Sequence, residues 1–118
     1  MFAAVDLNSG WEKRPGRQGV VQQMLHDRLD SQSKSGHCTR LVKFEPMAKA
    51  PASRHPYWEE VYLISGDLLL TDEAGRAVAR FDAPAYVCRS PGEVHGPFAS
   101  EAGCLMLQIE YYAREEET

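Results

Sequence analysis

Residues 51–67 read PASRHPYWEEVYLISGD, and this stretch decides both the fold and the place where chemistry can occur. In an extended segment, side chains two apart share a face, so Ser53, His55, Tyr57, Glu59, Val61 and Leu63 point the same way. Val61 and Leu63 continue that face as apolar residues, so the simplest packing turns His55 and Glu59 into the interior at the wider end of a barrel. Tyr62 and Ile64 lie on the opposite face and are also apolar, which asks for a cover from another sheet or a second subunit.

Outward from this stretch, turn signals recur at short intervals: NSG at 8, RPGRQG at 14, DSQSKSG at 30, EPMAKAPAS at 45, SGD at 65, DEAG at 72, DAP at 82, SPGE at 90 and SEAG at 100. The runs between them are short and rich in β-branched and aromatic residues, the spacing of an all-β sandwich or barrel. Strands are expected at 39–44 (TRLVKF), 60–65 (EVYLIS), 67–71 (DLLLT), 77–81 (AVARF), 85–89 (AYVCR) and 104–112 (CLMLQIEYY). In the last run, Leu105, Leu107, Ile109 and Tyr111 share one face while Met106, Gln108, Glu110 and Tyr112 share the other. Arg40 and Lys43 face opposite sides of their strand, so at most one points inward. VVQQMLHDRL (20–29) fits helical spacing and a strand equally well, and the tail AREEET reads as a solvated end.

Composition narrows the classes of function. The 118 residues, 43% hydrophobic and 25% charged with a formal charge of −4, suit one domain spanning 1–118. No basic stripe suggests nucleic acid or an anionic membrane, no apolar run approaches the ~18 residues of a membrane helix, and no leader pattern opens the chain. The expectation is a cytoplasmic protein with neither partner. Cys38, Cys88 and Cys104 are widely spaced and form no Cys-x-x-Cys pair, so all three are expected to be buried thiols. A nucleophilic pairing of Ser53 with His55 lacks an orienting acid, and no glycine-rich phosphate loop is present.

The stretch resembles the first motif of the cupin superfamily, G-x5-H-x-H-x3-4-E-x6-G, with His55 as the second histidine, Glu59 as the glutamate and Gly66 as the closing glycine. PAYVCRSPGEVHGPFA (84–99) is similar to the second motif, G-x5-P-x-G-x2-H-x3-N, with Gly92 and His95 in place. RHPYWEEVYLISGD with RSPGEVHGPF most resembles the ChrR-like branch, which includes zinc-binding anti-sigma domains and iron-dependent diketone-cleaving dioxygenases. The departures are Met47 at the first glycine, Ser53 at the first histidine, Pro84 at the second motif's glycine, Ser90 at its proline, and Ala99 at its asparagine. The resemblance implies a single-domain jelly-roll barrel (motif 1 about 47–66, motif 2 about 84–99), a homodimer, and a divalent metal on His55, Glu59 and His95.

Two imidazoles and one carboxylate form a facial triad suited to non-haem Fe(II), with Zn, Mn or Ni as other occupants. The expected function is a metal-dependent, dioxygenase-type enzyme acting on a small dicarbonyl or hydroxyketone. Tyr57 is the expected proton donor, and Ser53, Trp58 and Phe98 are expected to line the site. The alternatives are a non-redox isomerase, cyclase or lyase, a ligand-binding or sensor cupin, and a metal-free epimerase-like barrel with His55 as base. His26 and His37 are expected on the surface or in loops, although His37 could replace the missing imidazole.

Overall fold

The computed structural model describes residues 2–113, so the tail at 114–118 lies outside the described residues. Eight strands follow in order: β1 (Glu12–Lys13), β2 (Gln18–Asp27), β3 (His37–Ala50), β4 (Trp58–Thr71), β5 (Ala77–Asp82), β6 (Ala85–Arg89), β7 (Phe98–Ala99) and β8 (Cys104–Tyr111). No helix occurs among the described residues, and none is long and apolar enough to cross a membrane. The undecided 20–29 segment is therefore strand, paired antiparallel with β3 from Val20↔Phe44 to Asp27↔Cys38.

The topology is a single-domain jelly-roll barrel in which β3 and β4 each serve both sheets. β8 lies between their halves at 37–44 and 58–66, and β7 lies between their other halves at Lys49, Ala50, Leu69 and Leu70. β2 flanks β3, while β6 and β5 flank β4.

Two expected turns are thus corners within continuous strands. SGD does not separate 60–65 from 67–71. β4 runs through both, with a register shift between Leu63 and Ser65 and Gly66 at φ +84°. A Cβ on Gly66 would sit 2.0 Å from the Gly103 carbonyl oxygen, so only glycine lets the strand bend so close to the start of β8. EPMAKA likewise belongs to β3, where Met47 takes φ +68° at the position of the motif's first glycine. Asp67, next to the Gly66 corner, fastens it. Its carboxylate accepts the backbone N–H groups of Glu101 and Ala102 at 2.9 and 2.8 Å, and the Ser100 hydroxyl donates to its carbonyl at 2.7 Å.

Val20, Val42, Phe44, Ala48, Val61, Leu63, Leu68, Cys104 and Met106 form the apolar core. Cys38 and Cys104 are buried thiols, but Cys88 is exposed. Among the described residues β6 pairs only with β4, and Cys88 lies on the opposite side of the strand from Val87 and Arg89, which face the interior. On β8 the inward row is Cys104, Met106, Gln108 and Glu110, while the more apolar row of Leu105, Leu107 and Ile109 is only half-buried. Tyr62 and Ile64 stand exposed on the outer face of β4.

Candidate metal centre

Strand register assembles a polar layer across the barrel. Glu59 on β4 sits opposite both Arg89 on β6 and Glu110 on β8, and Glu110 sits opposite Cys38 on β3. Two carboxylates thus stand side by side, an arrangement that repels unless cations flank it. Arg40 supplies one cation, ion-paired with Glu110, whose Oε1 also accepts from the Cys38 thiol. Arg89 supplies the other, 3.6 Å from Glu59 Oε1. Of Arg40 and Lys43, Arg40 is the one that points inward, and Lys43 lies outside over the Trp11 ring.

The histidines come from irregular segments pinned to each other. Ser53 and His95 exchange both backbone hydrogen bonds at 2.9 Å, and the Gly92 N–H donates to the His55 carbonyl at 2.7 Å. This bridge holds the two motifs together without a side chain, so Ser53 keeps its structural role despite lacking an imidazole. It also brings His55 Nε2 within 3.6 Å and His95 Nε2 within 3.4 Å of Glu59 Oε2. One donor atom from each of the three residues lies within 4.8 Å of the others.

The electrostatics fit a divalent ion. Glu59 is 3% exposed, and its Oε2 has no hydrogen-bond partner, a costly state for a buried carboxylate unless a cation meets it. Burial, then the neighbouring Glu110 charge, raises the Glu59 pKa above its ordinary value. Burial pushes His95 down to about 4, with Arg89 and His55 acting in the same direction. Burial also lowers His55, where Glu110 opposes the shift and Arg14, Arg17 and Arg40 reinforce it. Both imidazoles are therefore neutral near pH 7, the form that ligates a metal. The cavity they face encloses about 40 Å³, against roughly 10–15 Å³ needed for one water.

Ser53 and Phe98 line this cavity together with the triad. Trp58 does not, because the alternation that points Glu59 inward sends its neighbour to the outer side. Tyr57 is not part of the lining either. Its ring stacks on His55 at 4.8 Å and 5°, and meets Tyr112 edge-on. His37 is no substitute ligand, since it is exposed at the start of β3 and stacks on His26 at 4.7 Å. The cavity also contains residues with no motif to announce them: Glu110, Gln108, Arg89, Arg14 and Arg17.

A family model described as the ChrR Cupin-like domain matches residues 5–111. The chain belongs to the ChrR-like cupins. Among solved structures, this cupin is similar to the polyketide cyclase RemF from Streptomyces resistomycificus, at 21% identity and TM-score 0.71, covering 98% of this chain and 82% of that one. It is also similar to an acetylacetone dioxygenase from Acinetobacter johnsonii, at 17% identity and TM-score 0.70, covering 100% and 80%. The anti-sigma factor ChrR of Rhodobacter sphaeroides, in complex with SigE, matches at 21% identity and TM-score 0.63, covering 88% of this cupin and 50% of that chain. At such identities the likeness is one of fold. No curated protein sequence matches the cupin significantly.

Proposed function

We propose that this cupin is a metal-dependent enzyme in which His55, Glu59 and His95 hold a divalent ion, Fe(II) in the first instance, and that it acts on a small dicarbonyl or hydroxyketone. The observation that carries the reading is the buried, unpartnered Glu59 Oε2 facing two neutral imidazole nitrogens. When bound, the ion would polarise substrate oxygens as a Lewis acid and, as iron, give access to dioxygen chemistry.

The chain's own residues do the rest. Arg89 balances Glu59 and keeps it oriented, while Arg40 holds one oxygen of Glu110 and leaves the other 4.0 Å from His55 Nε2. That free oxygen is placed to take or return a substrate proton. Burial raises the Tyr57 pKa well above its ordinary value, with Glu110 adding to the effect, so its hydroxyl stays protonated. It remains a candidate donor, although its stacking on His55 supports a role in orienting that ring. Ser53 leaves open the space of the missing imidazole, which favours a small oxygen-bearing ligand beside the triad.

With Zn, Mn or Ni the same donors suit a non-redox isomerase, cyclase or lyase, a reading favoured by the likeness in fold to a cyclase. Three unpaired thiols accord with a cytoplasmic setting, and the exposed Tyr62 and Ile64 face is proposed to pair two copies.

Metal analysis by plasma mass spectrometry on anaerobically purified protein tests the proposal. Near-stoichiometric iron supports the dioxygenase form, and zinc, nickel or manganese supports the non-redox form. His95→Ala should abolish the metal while leaving the β-sheet circular dichroism intact. A metal-free protein that also refuses added metal would leave a binding or sensor role, or a metal-free barrel with His55 as base.

A further inference from the structure

The cavity holds more positive charge than its carboxylates can balance. Arg40 is paired with Glu110, and Arg89 faces Glu59. Arg14 and Arg17, from the loop between β1 and β2, line the same cavity, and neither has an ion-pair partner among the described residues. Both are only partly exposed. The Arg17 guanidinium donates to the Pro15 carbonyl at 3.1 Å, which ties the loop to itself and leaves its charge unopposed. A divalent ion on the triad would add two further positive charges a short distance away.

Such a site attracts an anion. We infer that Arg14 and Arg17 bind the carboxylate of a small 2-oxo or 2-hydroxy acid whose neighbouring oxygen faces the His55, Glu59 and His95 triad. The inference rests on the proposed metal site and narrows its substrate from a neutral dicarbonyl to an anionic one. Size and geometry favour a carboxylate. The cavity that the arginines share with the triad is small, about 40 Å³, and guanidinium groups match the two oxygens of a carboxylate in paired hydrogen bonds. A neutral diketone would leave both guanidinium groups half-buried and unanswered. Burial, together with repulsion from Arg17 and Arg40, pulls the Arg14 pKa down to about 10, against the opposing pull of Glu110 and Glu59.

The test separates the substrate class from the metal. Manganese affinity of the full chain is measured first by calorimetry, for wild type and for the Arg14→Gln/Arg17→Gln double variant. Pyruvate, acetylacetone and inorganic phosphate are then titrated into each loaded protein. Wild type should bind pyruvate about tenfold or more tightly than acetylacetone, the worth of one charge-assisted pair. The double variant should lose that preference while its acetylacetone affinity stays within about twofold and its manganese affinity does not fall, since two repelling charges near the triad are gone.

Equal affinity for the acid and the diketone, or a preference that survives the double substitution, overturns the inference. Phosphate binding tighter than pyruvate overturns the carboxylate assignment. If neither protein takes manganese, the metal reading fails by itself. The arginines are then judged on the apo protein, where pyruvate must raise the melting temperature of wild type and not of the double variant, and absence of that difference refutes them.

Discussion

Glu110 and Arg40 are the place where a substitution tests the polar layer most directly. Glu110 is 2% exposed and Arg40 12% in their side chains. Removing one partner of a pair this buried costs about 3–5 kcal/mol, mostly because the other charge is stranded. For Glu110→Ala the stranded guanidinium keeps the Gln22 side chain at 3.1 Å and a little water, which places the cost near 3 kcal/mol. In a domain of this size that lowers the melting temperature by roughly 12 °C, at about 4 °C per kcal/mol. Arg40→Met should cost more, toward 5 kcal/mol, because it leaves Glu110 unpaired directly opposite Glu59. The double variant Arg40→Met/Glu110→Leu removes both charges and should recover most of the loss, giving a coupling of a few kcal/mol. Thermal and urea unfolding of the four proteins, metal-free, closes the cycle. Single substitutions that each cost under about 1 kcal/mol, or losses that simply add, would refute the claim that the layer is held by this pair.

Ser53→His should tighten divalent metal binding by about tenfold or more, read by competition with a chromophoric chelator. An unchanged affinity would mean that position 53 does not present its side chain to the ion. Met47→Gly should raise stability by about 0.5–1 kcal/mol, because a left-handed conformation costs a side chain about 1–2 kcal/mol and glycine gives back part of that as unfolded-state entropy. A denaturant midpoint that falls would show that Met47 is held by something other than its backbone. For Asp67, burial alone would raise the pKa, yet the backbone donors of Glu101 and Ala102 prevail and hold it below the usual 3.8. A depressed folded pKa stabilises the protein above the unfolded value, and the contribution is lost as pH falls through the folded one. Asp67→Asn should therefore destabilise at pH 6 and lose much of that penalty near pH 2.5. A penalty of equal size at both would count against a charged Asp67.

The strands were legible because turn chemistry brackets them, and AYVCR at 85–89 becomes β6 to the residue. The corners were not. Gly66 and the EPMAKA segment carry the same residue types as reversing turns, and local sequence does not say whether the chain turns back or bends on into the second sheet. Ser53, His55, Glu59 and His95 were readable from motif spacing and the period of two, and Phe98 only as a neighbour of the second motif, whereas Trp58, expected at the site, lies outside the cavity. Glu110 was hidden by a sound rule. On β8 the more hydrophobic row faces outward, where it stays half-buried, and the row with Gln108 and Glu110 faces the cavity, so hydrophobicity points to the wrong face. Arg14 and Arg17 were hidden in RPGRQG, which reads only as a turn, and no spacing rule links a loop near the N-terminus to a motif forty residues on.

These hidden residues bear on what the missing imidazole means. A neutral donor at position 53 would fill coordination space without changing the charge of the site. Serine frees that space, while Glu110, Arg40, Arg89, Arg14 and Arg17 surround it with charge. The chain carries a net −4, yet the charged side chains at this cavity sum to a positive value before any ion enters. Selection among ligands at such a site is set by charge more than by shape, because in a low-dielectric cavity an unanswered guanidinium costs more than an imperfect apolar contact. A neutral ligand that fits the space would thus still be rejected in favour of an acid that answers the arginines, and added salt should narrow that preference by screening the exposed mouth of the cavity.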